Sequence, residues 1–273
     1  MTVRTFVHLS DLHFGRIDAP LLQPLIEMTR ALAPNAVVIS GDLTQRAREA
    51  QFKEARAFLD RLPPPHIIVP GNHDVPLYDL VARFFRSLRM YRRHITEDLE
   101  PFYADGEVAI LGLNTARSLT IKDGRISKHQ IATIRRQMCG MGKEIIKMLV
   151  THHPFDLPDG SHHKTIVGRA HEAMGMIAQC GVDVILSGHL HVSHIGHAAK
   201  RFDVHGRSTL LVQAGTATST RARGEPNAFN VIRSDGPRLT VEQMVWDRSV
   251  AAFVKRSTER FERSPAGWIR LGP

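Results

Sequence analysis

The sequence predicts an α/β fold built on a parallel or mixed sheet, and three observations carry that prediction. Two βαβ units open the chain, short polar motifs recur at the ends of apolar strands, and from His194 onward the pattern changes to short strands separated by turns. Residues 36–40 (AVVIS) are apolar on both faces, as in a sheet covered by other layers.

Residues 5–10 (TFVHLS) form a strand that ends on Asp11. Leu21, Leu25, Met28 and Leu32 repeat at helical spacing, with Asp18 placed to cap that helix and Pro20 in its first turn. Strand 36–40 ends on Gly41-Asp42. Phe52, Ala55, Leu59 and Leu62 mark a second helix, stopped by Pro63-Pro64-Pro65, and strand 67–69 leads into Pro70-Gly71-Asn72. Residues 79–93 read as helical, basic and rather apolar, and 108–113 as a strand ending at Asn114. Ser127 and Gln130 make a capping box that opens a helix through Met138. Strand 148–151 delivers His152. Residues 153–168, with Pro154, Pro158 and Gly160, read as a loop. A helix at 169–180 closes on Gly181, and strand 184–186 delivers Ser187-Gly188-His189. Further strands are expected at 210–213, 229–232 and 239–246 as an antiparallel half-sheet, with a final helix within 244–263. The division expected is a large domain at 1–247 and a basic C-terminal extension at 248–273, packed on it or trailing from it.

Composition narrows the setting. Of 273 residues, 42% are hydrophobic and 23% charged, enough for a full core, and no apolar run approaches the length of a membrane span. Cys139 and Cys180, each on a predicted helix, argue against a disulfide framework and fit a reducing cytoplasm. Residues 1–11 show no basic-then-apolar leader. The net charge of +9 points to an anionic partner: a phosphate ester, nucleic acid or an acidic membrane surface. Aromatics at 6%, with no basic stripe interleaved among them, argue against single-stranded nucleic acid. Peripheral membrane contact and a homo-oligomer stay open.

Five polar motifs carry the chemistry: Asp11-x-His13, Gly41-Asp42, Gly71-Asn72-His73-Asp74, His152 after a strand, and Gly188-His189-x-His191. Asp11, Asp42, Asn72, His13, His152, His189 and His191 offer two carboxylates, one amide oxygen and four imidazoles. Donors without thiolate suit Mn, Fe, Zn or Co, and seven are too many for one open ion. They suit two ions sharing a bridging carboxylate, the arrangement used for hydrolysis at phosphorus. Residues two apart in an extended turn project together, which pairs Asp11 with His13 and His189 with His191. Asp74 is able to orient the His73 imidazole. His152, terminating its strand, is taken as a ligand and His153 as a neighbour that hydrogen-bonds or lines the pocket. Each motif alone is weak. The remaining histidines read as ordinary core or surface residues, with His162, His163 and His194 nearer the predicted site. Arg221 and Arg223 could grip a phosphate, although solvated surface arginines are commoner.

In these motifs the chain resembles the calcineurin-like metallophosphoesterases, over residues 5–233. The resemblance implies a four-layer αββα sandwich with mixed sheets and a dinuclear site at the strand ends. It implies that Asp11, His13, Asp42 and His191 bind one divalent transition ion and Asp42, Asn72, His152 and His189 the other, with Mn or Fe favoured over Zn or Co. It further implies in-line attack on phosphorus by a metal-bridging hydroxide, with His73 protonating the leaving oxygen and Asp74 orienting His73. The chain departs from the protein Ser/Thr phosphatases, because Leu-Thr-Gln-Arg follows Asp42 and the third motif ends in Asp74. Lipid A pyrophosphatases place arginine where His73 stands, and purple acid phosphatases carry a tyrosine after Gly-Asp that is missing here. What remains is similar to small bacterial phosphodiesterases acting on cyclic nucleotides or glycerophosphodiesters. The substrate expected is an anionic small-molecule phosphodiester. The alternatives are a phosphomonoesterase or pyrophosphatase on the same fold and, further off, a nuclease or a non-catalytic scaffold.

Overall fold

Central strands buried on both faces set the layers. The computed structural model describes residues 2–120, 122–158, 165–202, 208–221, 224–265 and 267–272. It runs β1 (Arg4–Leu9), α1 (Leu22–Ala31), β2 (Ala36–Ser40), α2 (Glu49–Leu59), β3 (His66–Val69), α3 (Leu80–Phe85) and α4 (Arg89–His94). Next come β4 (Phe102–Ala104), β5 (Val108–Gly112), α5 (Lys128–Met138), β6 (Ile146–Val150), α6 (Ala170–Gln179), β7 (Val184–Ser187), β8 (His194–His197) and β9 (Leu210–Gln213). β10 (Ala228–Asp235), β11 (Arg238–Asp247), β12 (Ala252–Ser264) and β13 (Gly267–Leu271) complete the chain.

One sheet has the order β13-β12-β11-β10-β1-β2-β3, the other β4-β5-β6-β7-β9-β8. β1, β2 and β3 are parallel, whereas β10 pairs antiparallel to β1 and opens a run of antiparallel strands. In the second sheet β5, β6, β7 and β9 are parallel, with β4 and β8 antiparallel at the edges. On β2, Ala36 and Val38 face the other sheet while Val37 and Ile39 face α1 and α2. On β5, Val108 and Ile110 face the first sheet while Ala109 and Leu111 face α5 and α6. Three apolar clusters therefore separate four layers, helix, sheet, sheet, helix, as expected. Burying each valine, leucine or isoleucine among them contributes about 1.5–3 kcal/mol, so a one-residue slip that reversed a strand's faces is not tolerated.

Local chemistry explains the start of α5 and the end of α6. Ser127 Oγ accepts from Gln130 N at 3.1 Å and Gln130 Oε1 from Ser127 N at 2.9 Å, the reciprocal cap read from the sequence. Gly181 closes α6 at φ 65°, in the left-handed region. Asp18 precedes a 3₁₀ turn but makes no side-chain cap; its backbone N–H donates instead to Thr218 O. The helix expected over 79–93 is two short ones broken at residues 86–88.

Three expectations are corrected. No helix forms within 244–263: β11 and β12 pair along ten rungs there, because Phe253 packs against Phe229 and Trp246 at 5.2 Å each and neighbouring strands supply the backbone partners. Strand 210–213 does not join the antiparallel strands but lies parallel to β7 in the second sheet. Cys139 and Cys180 form a disulfide with Cα atoms 4.1 Å apart, since they cap the C-termini of α5 and α6, which pack side by side. Among the described residues no helix is long and apolar enough to cross a membrane.

The C-terminal strands are clamped to the second sheet by a buried ion pair. Arg263 donates to Asp183 Oδ2 at 2.6 Å and to the carbonyls of Lys143 and Ile145, and Trp268 Nε1 donates to Asp183 O at 3.1 Å. Removing one partner of a buried pair leaves the other charge uncompensated, so Asp183→Ala should lower unfolding free energy by about 3–5 kcal/mol in urea titration. Asp183 stands at the opposite end of β7 from the polar motifs, and turnover per folded molecule should hold. An unchanged denaturation midpoint would show that the clamp adds nothing.

Candidate metal centre

All five motifs leave the carboxyl ends of parallel strands: β1, β2 and β3 in one sheet, β6 and β7 in the other. The extended turns expected from the spacing are not what brings the donors together. Asp11 (φ 52°), His13 (54°), Asp42 (53°), His189 (76°) and His191 (60°) all adopt left-handed backbone. Such residues cost about 1–3 kcal/mol each and persist where surrounding contacts hold them. Here the loops hold one another. Asp11 N donates to Gly41 O at 3.1 Å, His13 N to Asp42 O at 2.9 Å and Gly188 N to His152 O at 3.1 Å. Thr216 and Thr218 hydroxyls donate to the carbonyls of Asp11 and Leu12 at 2.7 and 2.8 Å. Two glycines permit the approach: a Cβ on Gly71 would stand 2.1 Å from Asp42 Oδ1, and one on Gly188 1.8 Å from Ser10 Oγ.

The donor atoms fall into two sets that meet at Asp42. His191 Nε2 lies 3.2 Å from Asp11 Oδ1 and from His13 Nε2, which is 3.6 Å from both Asp11 Oδ1 and Asp42 Oδ2. On the other side, His152 Nε2 lies 3.4 Å from Asp42 Oδ1, 3.1 Å from Asn72 Oδ1 and 3.2 Å from His189 Nδ1. Ligands at 2.0–2.2 Å from a common ion with ordinary coordination angles stand about 2.8–3.6 Å apart. Both sets match that spacing.

The other ends of Asp11, His152 and His191 are already committed, which aims their free lone pairs inward. His152 Nδ1 donates to Ser40 O at 2.8 Å and His191 Nδ1 to Arg221 O at 3.2 Å, leaving Nε2 of each as an acceptor. Asp11 Oδ2 accepts from Ser10 Oγ at 2.6 Å and His189 N at 2.9 Å, while its buried Oδ1 has no hydrogen-bond partner among the described residues. An unpartnered buried carboxylate oxygen facing the His191 lone pair at 3.2 Å is what a bound cation resolves. Burial would raise the Asp11 and Asp42 carboxyls, but the surrounding imidazoles hold both below the ordinary range, His191 and His13 for Asp11, His152 and His73 for Asp42. Burial also tends to lower His152, and the Asp42 and Asp11 carboxylates outweigh it, raising that imidazole.

His153 is close enough to His152 and His189 to count as a third imidazole in a metal-binding group. Its own bonds decide otherwise. Nε2 donates to Lys122 O at 3.0 Å, and Nδ1 therefore accepts from Thr115 Oγ1 at 2.8 Å, so no lone pair remains. Burial, and then the neighbouring His152, push it down to about 3. This matches its expected place as a neighbour.

Asp74 does not orient His73. Its carboxylate accepts from Gly71 N, Leu43 N, Thr44 N and Thr44 Oγ1 at 2.8–3.1 Å, tying the Asp42 loop to the Asn72 loop. Burial and the adjacent Asp42 raise it to about 7. His73 is fixed instead by the Gln45 carbonyl, 2.9 Å from Nδ1, and its Nε2 accepts from Arg221 at 3.0 Å. His73, Asn72, Gln45, Arg46, Lys122 and Arg221 line a cleft of about 160 Å³. Backbone acceptors such as Ser40 O and Gln45 O have no residue signature and could not be read in advance. The Thr216 and Thr218 hydroxyls, which brace the Asp11 loop, likewise have no ligand signature in the sequence. His162, His163 and Arg223 lie outside the described residues. His66, His94, His129, His171 and His197 add no donor to either set.

Residues 4–193 match the calcineurin-like phosphoesterase family. The chain belongs to that family. Membership makes it a hydrolase of phosphoesters with an Asp/His cluster suited to metal. Among curated relatives of this phosphoesterase, the glycerophosphodiester phosphodiesterase GpdQ of Enterobacter lignolyticus is 26% identical over 199 residues, 67% of this chain and 69% of that one. A probable cyclic nucleotide phosphodiesterase of Synechococcus sp. is 24% identical over 211 residues, 70% and 74% of the two chains. The fold is also that of the purple acid phosphatase PPD1 from yellow lupin (Lupinus luteus) seeds, with TM-score 0.72 at 14% identity, covering 94% of this chain and 53% of the lupin protein.

Two measurements follow from this geometry. Asp74→Asn keeps the volume but replaces two acceptor oxygens by one, so the Asp42 loop should loosen and metal affinity fall by about 10–100-fold in calorimetric titration. Unchanged affinity would remove Asp74 from that role. The second concerns His8 and His153, both held near 3 by burial, against an ordinary value of 6.5. Below pH 6.5 the unfolded chain takes up protons that the fold refuses. The contribution of these two histidines is therefore complete above 6.5 and is lost as pH drops from there toward 3, by up to about 1.4 kcal/mol per pH unit for each. His153→Asn should flatten the slope of metal-free protein by about one proton; an unaltered slope would contradict it.

Proposed function

We propose that the protein is a dinuclear metal-dependent phosphodiesterase, with a cyclic nucleotide or a glycerophosphodiester as the substrate class. One observation carries this reading: the two oxygens of Asp42 face different donor sets, Oδ2 toward His13 at 3.6 Å and Oδ1 toward His152 at 3.4 Å. Asp11, His13, Asp42 and His191 would hold one divalent ion, and Asp42, Asn72, His152 and His189 the other. The ions would supply Lewis acidity and a nucleophile at neutral pH, Mn or Fe suiting the oxygen and imidazole donors.

His73 is the general acid in this reading. Its ring is fixed through Nδ1 and turns Nε2 to the cleft, within hydrogen-bond reach of Arg221. A guanidinium can only donate, so in this arrangement Nε2 is an acceptor. A substrate phosphoryl group would draw Arg221 onto its negative charge and free Nε2 to carry the proton that the leaving oxygen receives. Arg46 and Lys122 on the cleft walls favour an anion. Likeness to phosphodiesterases among curated relatives supports the diester over the monoester.

Purified enzyme should contain two transition ions per chain by elemental analysis, and kcat/KM should be higher for the diester than for the monoester of one alcohol. A single ion at saturation defeats the dinuclear reading, and a monoester preference makes the enzyme a phosphatase. His73→Ala should retain both ions and lose about 10²–10⁴-fold in turnover of esters with poor leaving groups, with a smaller loss for nitrophenyl esters. Equal losses for the two ester types would remove His73 from the acid role.

A further inference from the structure

Large apolar side chains stand in solvent together on one part of the surface. Tyr78, Val81, Phe84, Phe85 and Leu119 are 76%, 67%, 50%, 83% and 83% exposed. On α3, Val81, Phe84 and Phe85 occupy positions i, i+3 and i+4 and so share a face. Leu119 belongs to a separate loop, and a buried arginine joins the two. Arg83, 4% exposed, donates to Pro76 O at 2.9 Å, Ser118 O at 2.7 Å and Thr120 O, stapling α3 to the carbonyls on either side of Leu119. The exposed patch is thus a built feature of the fold and not a frayed segment.

Its surroundings are strongly basic. Residues 78–93 contain five arginines and a single carboxylate, Asp79. A cleft of about 510 Å³ beside the patch is lined by Phe85, Arg86, Arg89, Arg92, Leu99 and Arg117. Arg92 pairs with Glu97 at 3.3 Å and Arg117 is bonded to its own loop, but Arg86 and Arg89 have no acidic partner among the described residues. Arg46 lies over the Tyr78 ring at 5.5 Å and also lines the cleft that holds His73, so the patch borders the mouth of the metal centre.

We propose that α3, the Leu119 loop and the arginine-lined cleft form a docking surface for an anionic lipid bilayer. Phe84, Phe85 and Leu119 would enter the interface while Arg86 and Arg89 meet headgroup phosphates. Apolar side chains beside unpaired arginines are the combination that binds the boundary of an acidic membrane. A second copy of the chain fits less well, because a two-fold contact over this patch would bring the same arginine clusters face to face. Docking here would bring the mouth of the metal centre to the membrane surface. It stands on surface residues alone and does not depend on which phosphoester is cleaved.

Sedimentation of metal-loaded protein with sucrose-filled vesicles tests this. Binding is expected to vesicles containing phosphatidylglycerol and not to pure phosphatidylcholine, and to weaken as salt is raised. Arg86→Gln with Arg89→Gln should lower partitioning by about 30-fold, since each arginine near an acidic surface contributes about fivefold. Phe84→Ser with Leu119→Ser should lower it by at least about tenfold while leaving turnover of a water-soluble phosphoester that the parent hydrolyses intact, which shows that the variant is folded. Equal binding to both lipids, no binding to either, or variants that bind like the parent would overturn the proposal. So would light scattering that finds a dimer which the Phe84/Leu119 variant dissociates, because the patch would then belong to a second copy.

Discussion

The Asp42 carboxylate is the group around which the site is assembled. It is buried between two sheets with one oxygen toward each set of donors, and it stands close to Asp11 and Asp74 as well. Three carboxylates in one dry space repel, and burial adds to the cost. The arrangement is held by what surrounds them. Imidazoles from both sheets keep Asp11 and Asp42 ionised, and the hydrogen bonds of Asp74 lock the two loops that carry Asp42 and Asn72. A pair of divalent ions is the natural counter-charge.

Imidazole direction in this site is fixed from outside it. His152 leans on Ser40 O, His191 on Arg221 O and His73 on Gln45 O, so in each case a backbone carbonyl selects the ring nitrogen that faces inward. These carbonyls belong to the strand ends and loops that also carry ligands. The strand ends and their loops thus position both the candidate ligands and the groups that orient them. Arg221 has two functions in this scheme, its carbonyl holding His191 and its guanidinium covering His73. A change in that loop would reach His191 and His73 together.

Strain is concentrated where the chemistry is. Five of the seven proposed ligands have left-handed backbone, and the loops that carry them are cross-linked by backbone bonds and threonine hydroxyls to the rigid ends of β1, β2, β6 and β7. The three apolar clusters and the Arg263–Asp183 clamp keep the two sheets in register. Only a stiff double sheet can hold so many unfavourable turns within 3–4 Å of one another.

The sequence by itself determined the strands of the first two βαβ units, the capping box at Ser127, the C-terminal glycine of α6 and which side chains are available as donors at the strand ends. Each of these rests on local chemistry: hydrophobic period, a cap, a left-handed glycine, or a side chain able to ligate. The tertiary structure decided the rest. Residues 252–264 became a strand and not a helix because β11 supplied a partner for the backbone and Phe229 and Trp246 a surface for Phe253. Leu210–Gln213 went to the second sheet because β7 and β8 flank it there. Cys139 met Cys180, 41 residues further along the chain, through the packing of two helices. Asp74 was adjacent to His73 in sequence, yet the 3₁₀ turn at Asn72–Asp74 points it at the Asp42 loop and leaves His73 to a carbonyl. Sequence spacing sets which groups are available; which of them touch depends on long-range packing, and neighbours along the chain carry no record of it.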